Sequence, residues 1–422
     1  MNQVVALQIL KSGRNVFLTG APGTGKTFVL LQYINYLRSS GVNLSVTAST
    51  GIAASYLSGS TLHSFAGLGI LSDYKEEFWE ELSKKKYLIR KIKKTEVLII
   101  DEVSMLSPQV FLIVDKILRL VKENDEPFGG IQVVFSGDFF QLPPVGTEDS
   151  KEKYIWQTDL WDSLDLGICY LDENHRSKDI EYNNILNEIR LGKLSSESEN
   201  ILYNKIGCKI PIDKDVTKLY THNIDVDRIN SIELHKLNSV KKKFISAKRG
   251  NEKILKSFIS SLLVPDVLEL KLGAFVMFTK NNPDKGYTNG TLGKIIDFDL
   301  VTGFPVVETH DNTIVVKPEE WQREDEEGNM LASVRQIPLK LAWAITVHKS
   351  QGMTLDRAIS DLSKCFVPGQ GYVALSRVKS LDGLYLLGLS DTALKVDDKV
   401  KKFDSFLKEL SVRICKRYEQ EK

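Results

Sequence analysis

A run near the start of the chain has the residue types and spacing of a phosphate cradle. Gly20-Ala21-Pro22-Gly23-Thr24-Gly25-Lys26-Thr27 fits G-x-x-x-x-G-K-[ST] at every fixed position. The glycines permit backbone angles that aim successive N–H groups at a β-phosphate. The positive end of the helix that follows adds to the attraction. Lys26 is placed to reach the β- and γ-phosphates, and the Thr27 hydroxyl to ligate Mg²⁺. Gly20, Gly23, Thr24, Gly25, Lys26 and Thr27 are therefore the expected contacts to ATP and its metal. This chemistry needs a strand before the loop and a helix after it. The apolar Asn15–Thr19 and the helical pattern of Lys26–Leu37 supply both.

Hydrolysis needs acids as well. Val97-Leu98-Ile99-Ile100-Asp101-Glu102 is a buried-strand pattern ending in two carboxylates. Asp101 suits the Mg²⁺ shell, and Glu102 suits orienting and deprotonating the attacking water. The transition state also gathers negative charge, which arginines neutralise. Arg176 in E-N-H-R-S and Arg377 in V-A-L-S-R are the candidates; taken alone, each reads more readily as a surface ion pair.

These residues need a scaffold. The chain has 422 residues, 42% hydrophobic and 26% charged, which fits a globular protein of two or three domains. No apolar run approaches the ~20 residues of a membrane span, and no secretory signal is evident, so no membrane partner is expected. Cys169, Cys208, Cys365 and Cys415 form no Cys-x-x-Cys pair, which argues against a zinc site or disulfide framework and for a reducing interior. The net charge of +1 neither demands nor excludes nucleic acid, and basic runs such as Lys241-Lys242-Lys243 read as solvated faces.

Strand candidates at Asn15–Thr19, Leu44–Thr47, Val97–Ile100 and Ile131–Phe135 alternate with helices, predicting an α/β lobe with a parallel sheet that ends near Asp165. Thr217–Asn223 again reads as a strand leading into a helix. Glu269–Val316 has short β-forming runs separated by Gly, Asn and Pro, the texture of a small antiparallel barrel. After Ile337 the α/β texture returns, with a helix predicted from Tyr372 to Val378.

Taken together, the motifs resemble the PIF-type (petite integration frequency) DNA helicases of superfamily one, 5′→3′ branch, with RecD-like relatives. Thr47–Ile52, Thr61–Phe65, Asp115–Gln132 ending in P-F-G-G-I-Q, Gly137–Pro144 (G-D-F-F-Q-L-P-P), Thr346–Gly352 (T-V-H-K-S-Q-G) and Tyr372–Arg377 carry the resemblance over almost the whole chain. It implies an α/β fold with two RecA-like P-loop lobes and ATP between them. It also implies an inserted small β-barrel of the Src-homology type and a small wedge. On that basis the first lobe spans 1–165, with the wedge within about 57–94; the second spans 166–236 and 336–422; and the barrel spans 237–335.

By the same resemblance Gln3 reads adenine, Gln141 senses the γ-phosphate, and Gln351 and Gly352 join the nucleotide contacts. His175 stands where the family usually has an aromatic. DNA-contacting candidates are Thr50, His63, Phe65, Phe140, Pro143, Tyr287, Asn289, Thr346, His348 and Lys349, whose rings and small polar groups suit stacking and phosphate contact. Taken singly, Phe65 and Phe140 read more as core residues than as stacking platforms, while Tyr287 and Asn289 read equally as ordinary turn residues. The implied activity is an ATP-dependent, 5′→3′ DNA helicase with Mg²⁺, a monomer acting inside the cell (nucleoid or nucleus). Its implied partners are single-stranded DNA, forked duplex and G-quadruplex, in repair, recombination and telomere maintenance. An RNA translocase or remodelling ATPase, and a nucleotide-controlled single-strand clamp with little turnover, are the alternatives.

Overall fold

The structure is a computed structural model. It describes the chain except residues 58, 69–81, 145–151, 210–215, 253–254, 256–257, 260–261, 263, 281, 288–289, 311, 325–329 and 421–422. Much of the segment expected to hold the wedge therefore lies outside the described residues. The chain forms two compact units, the first of Met1–Asn204, Cys365–Gly383 and Leu389–Lys422, the second of Lys205–Lys364 and Leu384–Gly388.

The first unit is built on β1 (Val16–Gly20), β2 (Leu44–Ala48), β3 (Ser60–Thr61), β4 (Val97–Asp101), β5 (Gln132–Gly137) and β6 (Gly167–Leu171). They form one sheet in the order β3-β2-β4-β5-β1-β6, with every pair parallel. β1, β4 and β6 are buried along their whole length, as expected of strands covered on both faces. Leu18, Ile99 and Val134 of the sheet pack with Ala6, Leu30 and Ile34 of the helices Gln3–Lys11 and Lys26–Ser39 in one core cluster. Parallel order brings the carboxyl ends of β1, β4 and β5 to the same edge. Gly20, Asp101 and Gly137 therefore lie where open α/β sheets bind ligands.

This unit extends past the boundary expected near Asp165. β1 has a free side that β6 fills in register, Val16 opposite Gly167 through Gly20 opposite Leu171. The C-terminal helix Asp398–Gln420 packs on β6. Residues 166–204 and most of 365–422 thus cluster with the P-loop rather than with the second unit, because β6 completes the first sheet. In the Asp115–Gln132 segment, the Asp115 carboxylate accepts the Phe128 N–H at 2.7 Å and pairs with Arg119 at 2.7 Å. That anchors Phe128 at φ 54°, left-handed and fully buried.

The second unit contains β7 (Thr217–Tyr220), β8 (Lys242–Ile245), β9 (Ala247–Gly250), β10 (Val267–Leu270), β11 (Phe275–Phe278), β12 (Leu292–Phe298), β13 (Pro305–Thr309) and β14 (Thr313–Val315). It continues with β15 (Glu319–Glu324), β16 (Met330–Gln336), β17 (Leu339–Leu341), β18 (Ala344–Thr346), β19 (Ala358–Leu362) and β20 (Leu384–Leu389). β18-β7-β19-β20 form a second α/β sheet, in which β7 pairs parallel with both β18 and β19. The β-rich middle forms antiparallel sheets, the largest being β14-β13-β12-β11-β17. No helix among the described residues is long and apolar enough to cross a membrane.

Candidate active site

The loop after β1 has Gly20, Gly23 and Gly25 at φ +146°, +88° and +86°, angles that L side chains avoid. Space is as restrictive as angle. A Cβ on Gly20 would come to 2.5 Å from the Leu171 carbonyl oxygen, and one on Gly23 to 2.7 Å from both Asn174 Oδ1 and Arg176 Cβ. The E-N-H-R-S segment is therefore docked directly on the loop. The His175 N–H donates to the Gly23 carbonyl at 2.8 Å. Gln3, the first residue of a helix capped by Asn2, donates from Nε2 to the Thr24 carbonyl at 3.1 Å. It lies against the loop.

Lys26 Nζ donates to the carbonyls of Gly20 at 2.8 Å and Ala21 at 3.1 Å. Burial lowers its pKa to about 8, opposed by the nearby charges of Asp138, Glu102 and Asp101. Asp101 ends β4 in a buried position; burial pushes its carboxyl up, and the Lys26 charge opposes this. Glu102 has φ 54° and ψ 45°, a left-handed conformation that costs a non-glycine residue about 1–3 kcal/mol. Ser49 Oγ donates to its carbonyl at 2.7 Å and helps hold it there. Thr27, on the first turn of the helix, is exposed.

Both predicted arginines lie in this unit. Arg176 Nη1 donates to the Ser376 carbonyl at 2.9 Å. Arg377, 1% exposed, donates from Nε to the Val373 carbonyl at 3.0 Å and from Nη2 to Ser376 Oγ at 2.8 Å. Burial lowers Arg176 to about 9, with the Arg377 charge adding to the fall; burial also lowers Arg377, while Glu102 supports its charge. Among the described residues neither arginine has a carboxylate within ion-pair distance. Gln141 is buried, and its Oε1 accepts no hydrogen bond from the described residues. The glycine cradle, two guanidiniums without an ion-pair partner among the described residues and an orphaned acceptor are what an anionic nucleotide and an attacking water would satisfy.

The DNA candidates divide. Thr50 Oγ1 accepts the Ala53 N–H at 3.3 Å, capping its short helix. His63 is half-buried, and burial lowers its pKa. Phe65 and Phe140 are core rings, 1% and 4% exposed, because the short helix Leu62–Phe65 and the turn after β5 fold them inward. The Arg190 guanidinium lies 4.1 Å from the centre of the Phe140 ring. Pro143 is also buried. In the second unit, Tyr287 is 2% exposed, stacked on Phe278 at 4.2 Å, and donates to Glu319 at 3.1 Å, so it is not an open stacking surface. Asn289 lies outside the described residues. Thr346 is buried, and its Oγ1 accepts the Lys349 N–H at 3.2 Å. His348 and Lys349 are half-buried; burial lowers His348, and the charge of His222 adds to this. Gln351 and Gly352 belong to the second unit, with Gly352 at φ +79°.

Three further residues of this unit gave no sequence signal. Tyr56 is raised to about 12 by burial and feels Arg377, Arg176 and Glu102. Gln370 is fully buried, with an Nε2 that finds no partner among the described residues. Arg190 is a buried cation placed by a helix of ordinary composition.

The carboxyl-edge cradle, the acid pair and the arginines on a parallel α/β sheet define a P-loop nucleoside triphosphatase. Residues 1–200 match the family model for PIF1-like helicase, and residues 253–298 that for the 2B domain of DNA helicase Pif1. The ATP-dependent DNA helicase Pif1 of Psychrobacter sp. (strain PRwf-1) is 41% identical, over 99% of this chain and 72% of that protein. The crystal structure of Pif1 helicase from Candida albicans aligns with TM-score 0.82 and 35% identity, covering 96% of this chain and 98% of that one. Pif1 helicase from Bacteroides in complex with ADP-AlF3 and ssDNA aligns with TM-score 0.69 and 32% identity, covering 96% of each chain. The chain belongs to the PIF1-like helicase family.

Proposed function

We propose that this chain is an ATP-dependent DNA helicase that moves 5′ to 3′ on single-stranded DNA and opens duplex ahead of it. The observation that carries the reading is the pair of half-buried Arg176 and buried Arg377, held by backbone and hydroxyl acceptors rather than by carboxylates, in the unit that holds Lys26 and Glu102. Two such guanidiniums fit a transferring phosphoryl group better than they fit a structural ion pair. Lys26 exchanges its loop carbonyls for the β- and γ-phosphates. Gln141 Oε1 orients the attacking water, and Glu102 takes its proton. The Thr27 hydroxyl and Asp101 carboxylate would hold Mg²⁺, which when bound neutralises phosphate charge. Gln3 reads the base. Among relatives, the Bacteroides protein is described with ADP-AlF3 and ssDNA, which supports both ligands here.

The antiparallel sheet β14-β13-β12-β11-β17 is the inserted barrel of this reading, and the second α/β sheet belongs to the second RecA-like lobe. Thr50, His63, His348 and Lys349 are the favoured strand contacts, since each is half-buried rather than sealed in a core. The enzyme acts as a monomer inside the cell. Strand displacement on duplexes with a 5′ tail, a 3′ tail or none tests substrate, activity and direction together. Displacement with the 5′ tail alone is expected. Equal opening of RNA duplexes would favour an RNA translocase, and ATP binding without DNA-stimulated turnover would favour a clamp.

A further inference from the structure

Arg190 lies outside every motif of the site, yet it is among the most completely engaged cations of the first unit. Its side chain is 4% exposed. Nη1 meets Asp138 Oδ2 at 2.7 Å and the Tyr372 hydroxyl at 3.2 Å; Nη2 meets Asp404 Oδ1 at 3.0 Å and the Tyr170 hydroxyl at 3.1 Å. Nε has no partner among the described residues, so its polar hold is exercised through the two terminal nitrogens. One guanidinium thereby joins the turn after β5, the end of β6, the Gln370–Leu375 helix and the C-terminal helix. Asp404 has a second cation, Lys408 at 2.9 Å; Asp138, 0% exposed, has only Arg190 at ion-pair distance among the described residues.

Asp138 also acts on the phosphate loop. Of all the charges near Lys26, that of Asp138 attracts it most strongly, ahead of Glu102 and Asp101, while Arg190 repels it. The buried carboxylate is thus bonded to Arg190, while its charge favours the protonated form of Lys26, the cation that must be free to serve phosphate. In a low-dielectric site an unpaired carboxylate would compete with an incoming anion for that lysine and would repel the anion as well. Asp138 cannot simply be absent, since its Oδ1 accepts the Phe140 N–H at 3.2 Å and its carbonyl accepts the Gln141 N–H at 2.9 Å, shaping the turn that presents Gln141.

We propose that Arg190 is a positioning residue of the nucleotide site: by neutralising the Asp138 carboxylate it leaves Lys26 to answer to phosphate, and it holds the Gln141 turn in place. This deepens the ATPase reading of the site and rests on it. Only a bidentate, planar cation can satisfy Asp138 and Asp404 at once, so lysine is not an adequate substitute.

The test is a charge cycle in the full chain: Arg190→Gln, Asp138→Asn, the double variant and Arg190→Lys. Folding is followed by circular dichroism, nucleotide affinity by titration with mant-ADP, and steady-state ATPase with single-stranded DNA. Arg190→Gln is expected to weaken mant-ADP binding and raise the KM for ATP at least tenfold, with a smaller fall in kcat. Removing the partner charge in the double variant should return affinity to within about threefold of the parent, and Arg190→Lys should fall between. A double variant as weak as Arg190→Gln, or a folded Arg190→Gln with parental affinity, would overturn the proposal. If Arg190→Gln does not fold, the decision falls to Arg190→Lys: parental affinity in that variant would overturn it too. Parental protein that binds mant-ADP but never turns over ATP would defeat the helicase reading while leaving this one standing.

Discussion

Arg176 donates to the carbonyl of Ser376, the residue immediately before Arg377, so the two arginines of the site are tied to one another through a single backbone group at 2.9 Å. Burial depresses both, and the charge of Arg377 depresses Arg176 further. Such a pair is costly in the absence of an anion and well suited to a charge that grows during reaction. Arg176→Ala and Arg377→Ala should each lower DNA-stimulated kcat by about 10³-fold or more, with mant-ADP affinity changed less than about tenfold. The double variant should be little worse than either single one, because the pair acts as a unit. Phosphate-release assays check this, and an equal loss of affinity and turnover would make the arginines ground-state binders.

Glu102 is held in a left-handed conformation directly after the Asp101 carboxylate. Glu102→Gln keeps the shape and removes the base. Turnover should fall by about 10²–10⁴-fold while mant-ADP still binds. Retained turnover would remove Glu102 from the role.

Gly23 has a positive φ, and a Cβ added there would come to 2.7 Å from the Asn174 and Arg176 side chains. Gly23→Ala must push the E-N-H-R-S segment off the loop or twist the loop itself. It should therefore weaken nucleotide binding and lower kcat together, by about 10-fold each at least, since a misplacement of ~1 Å at a site like this costs up to about 10²-fold. Gly13→Ala is a control for the φ effect alone, since Gly13 has φ +81° and nothing within 4 Å of its Cβ position; it should cost a little stability and leave nucleotide binding unchanged.

The phosphate loop, Asp101, Glu102 and the alternation of strands and helices were legible because each is local: an apolar run, a glycine spacing, an acid at a strand end. That the first sheet continues past Asp165 was not legible, because strand order is not local. Nothing in Gly167–Leu171 announces that it pairs with β1. Phe65 and Phe140, read singly, favour the core over a stacking platform, and they are core rings; Tyr287 lies in a turn context that hides its burial, which depends on what folds over it. Arg190 was invisible for the same reason. Its partners are 52 residues upstream and 214 downstream.

Lys340 sits in the second unit beside a cavity of about 580 Å³, lined by Leu234, Leu268 and Ile345 and shared with Lys349. Burial lowers its pKa to about 7 and the Lys349 charge adds to the fall, against an ordinary value of 10.5. Between those values the unfolded chain binds more protons than the folded one, so this residue makes stability rise with pH across that window. Its penalty is full below about pH 7 and vanishes above about 10.5. Lys340→Met should therefore raise Tm most at or below neutral pH, with the gain shrinking toward pH 10. Thermal melts of parent and variant at matched ionic strength check this; a gain that grows with pH would contradict the burial argument.

Phe140 offers the sharpest contrast between a strand-binding ring and a core ring. It is 4% exposed, lies 6.5 Å from the Tyr372 ring centre and carries the Arg190 guanidinium over its face at 4.1 Å. A ring so enclosed cannot stack a base without the unit opening. Phe140→Ala should cost about 3–5 kcal/mol of stability, and in a unit of this size each kcal/mol lowers Tm by about 2–4 °C. Phe140→Leu, which keeps most of the volume, should leave single-strand affinity within about threefold of the parent. Fluorescence anisotropy with a labelled oligonucleotide, read beside the melting curves, separates the two roles. A stacking platform would show the reverse pattern, with Tm unchanged and affinity lost by about 1–3 kcal/mol.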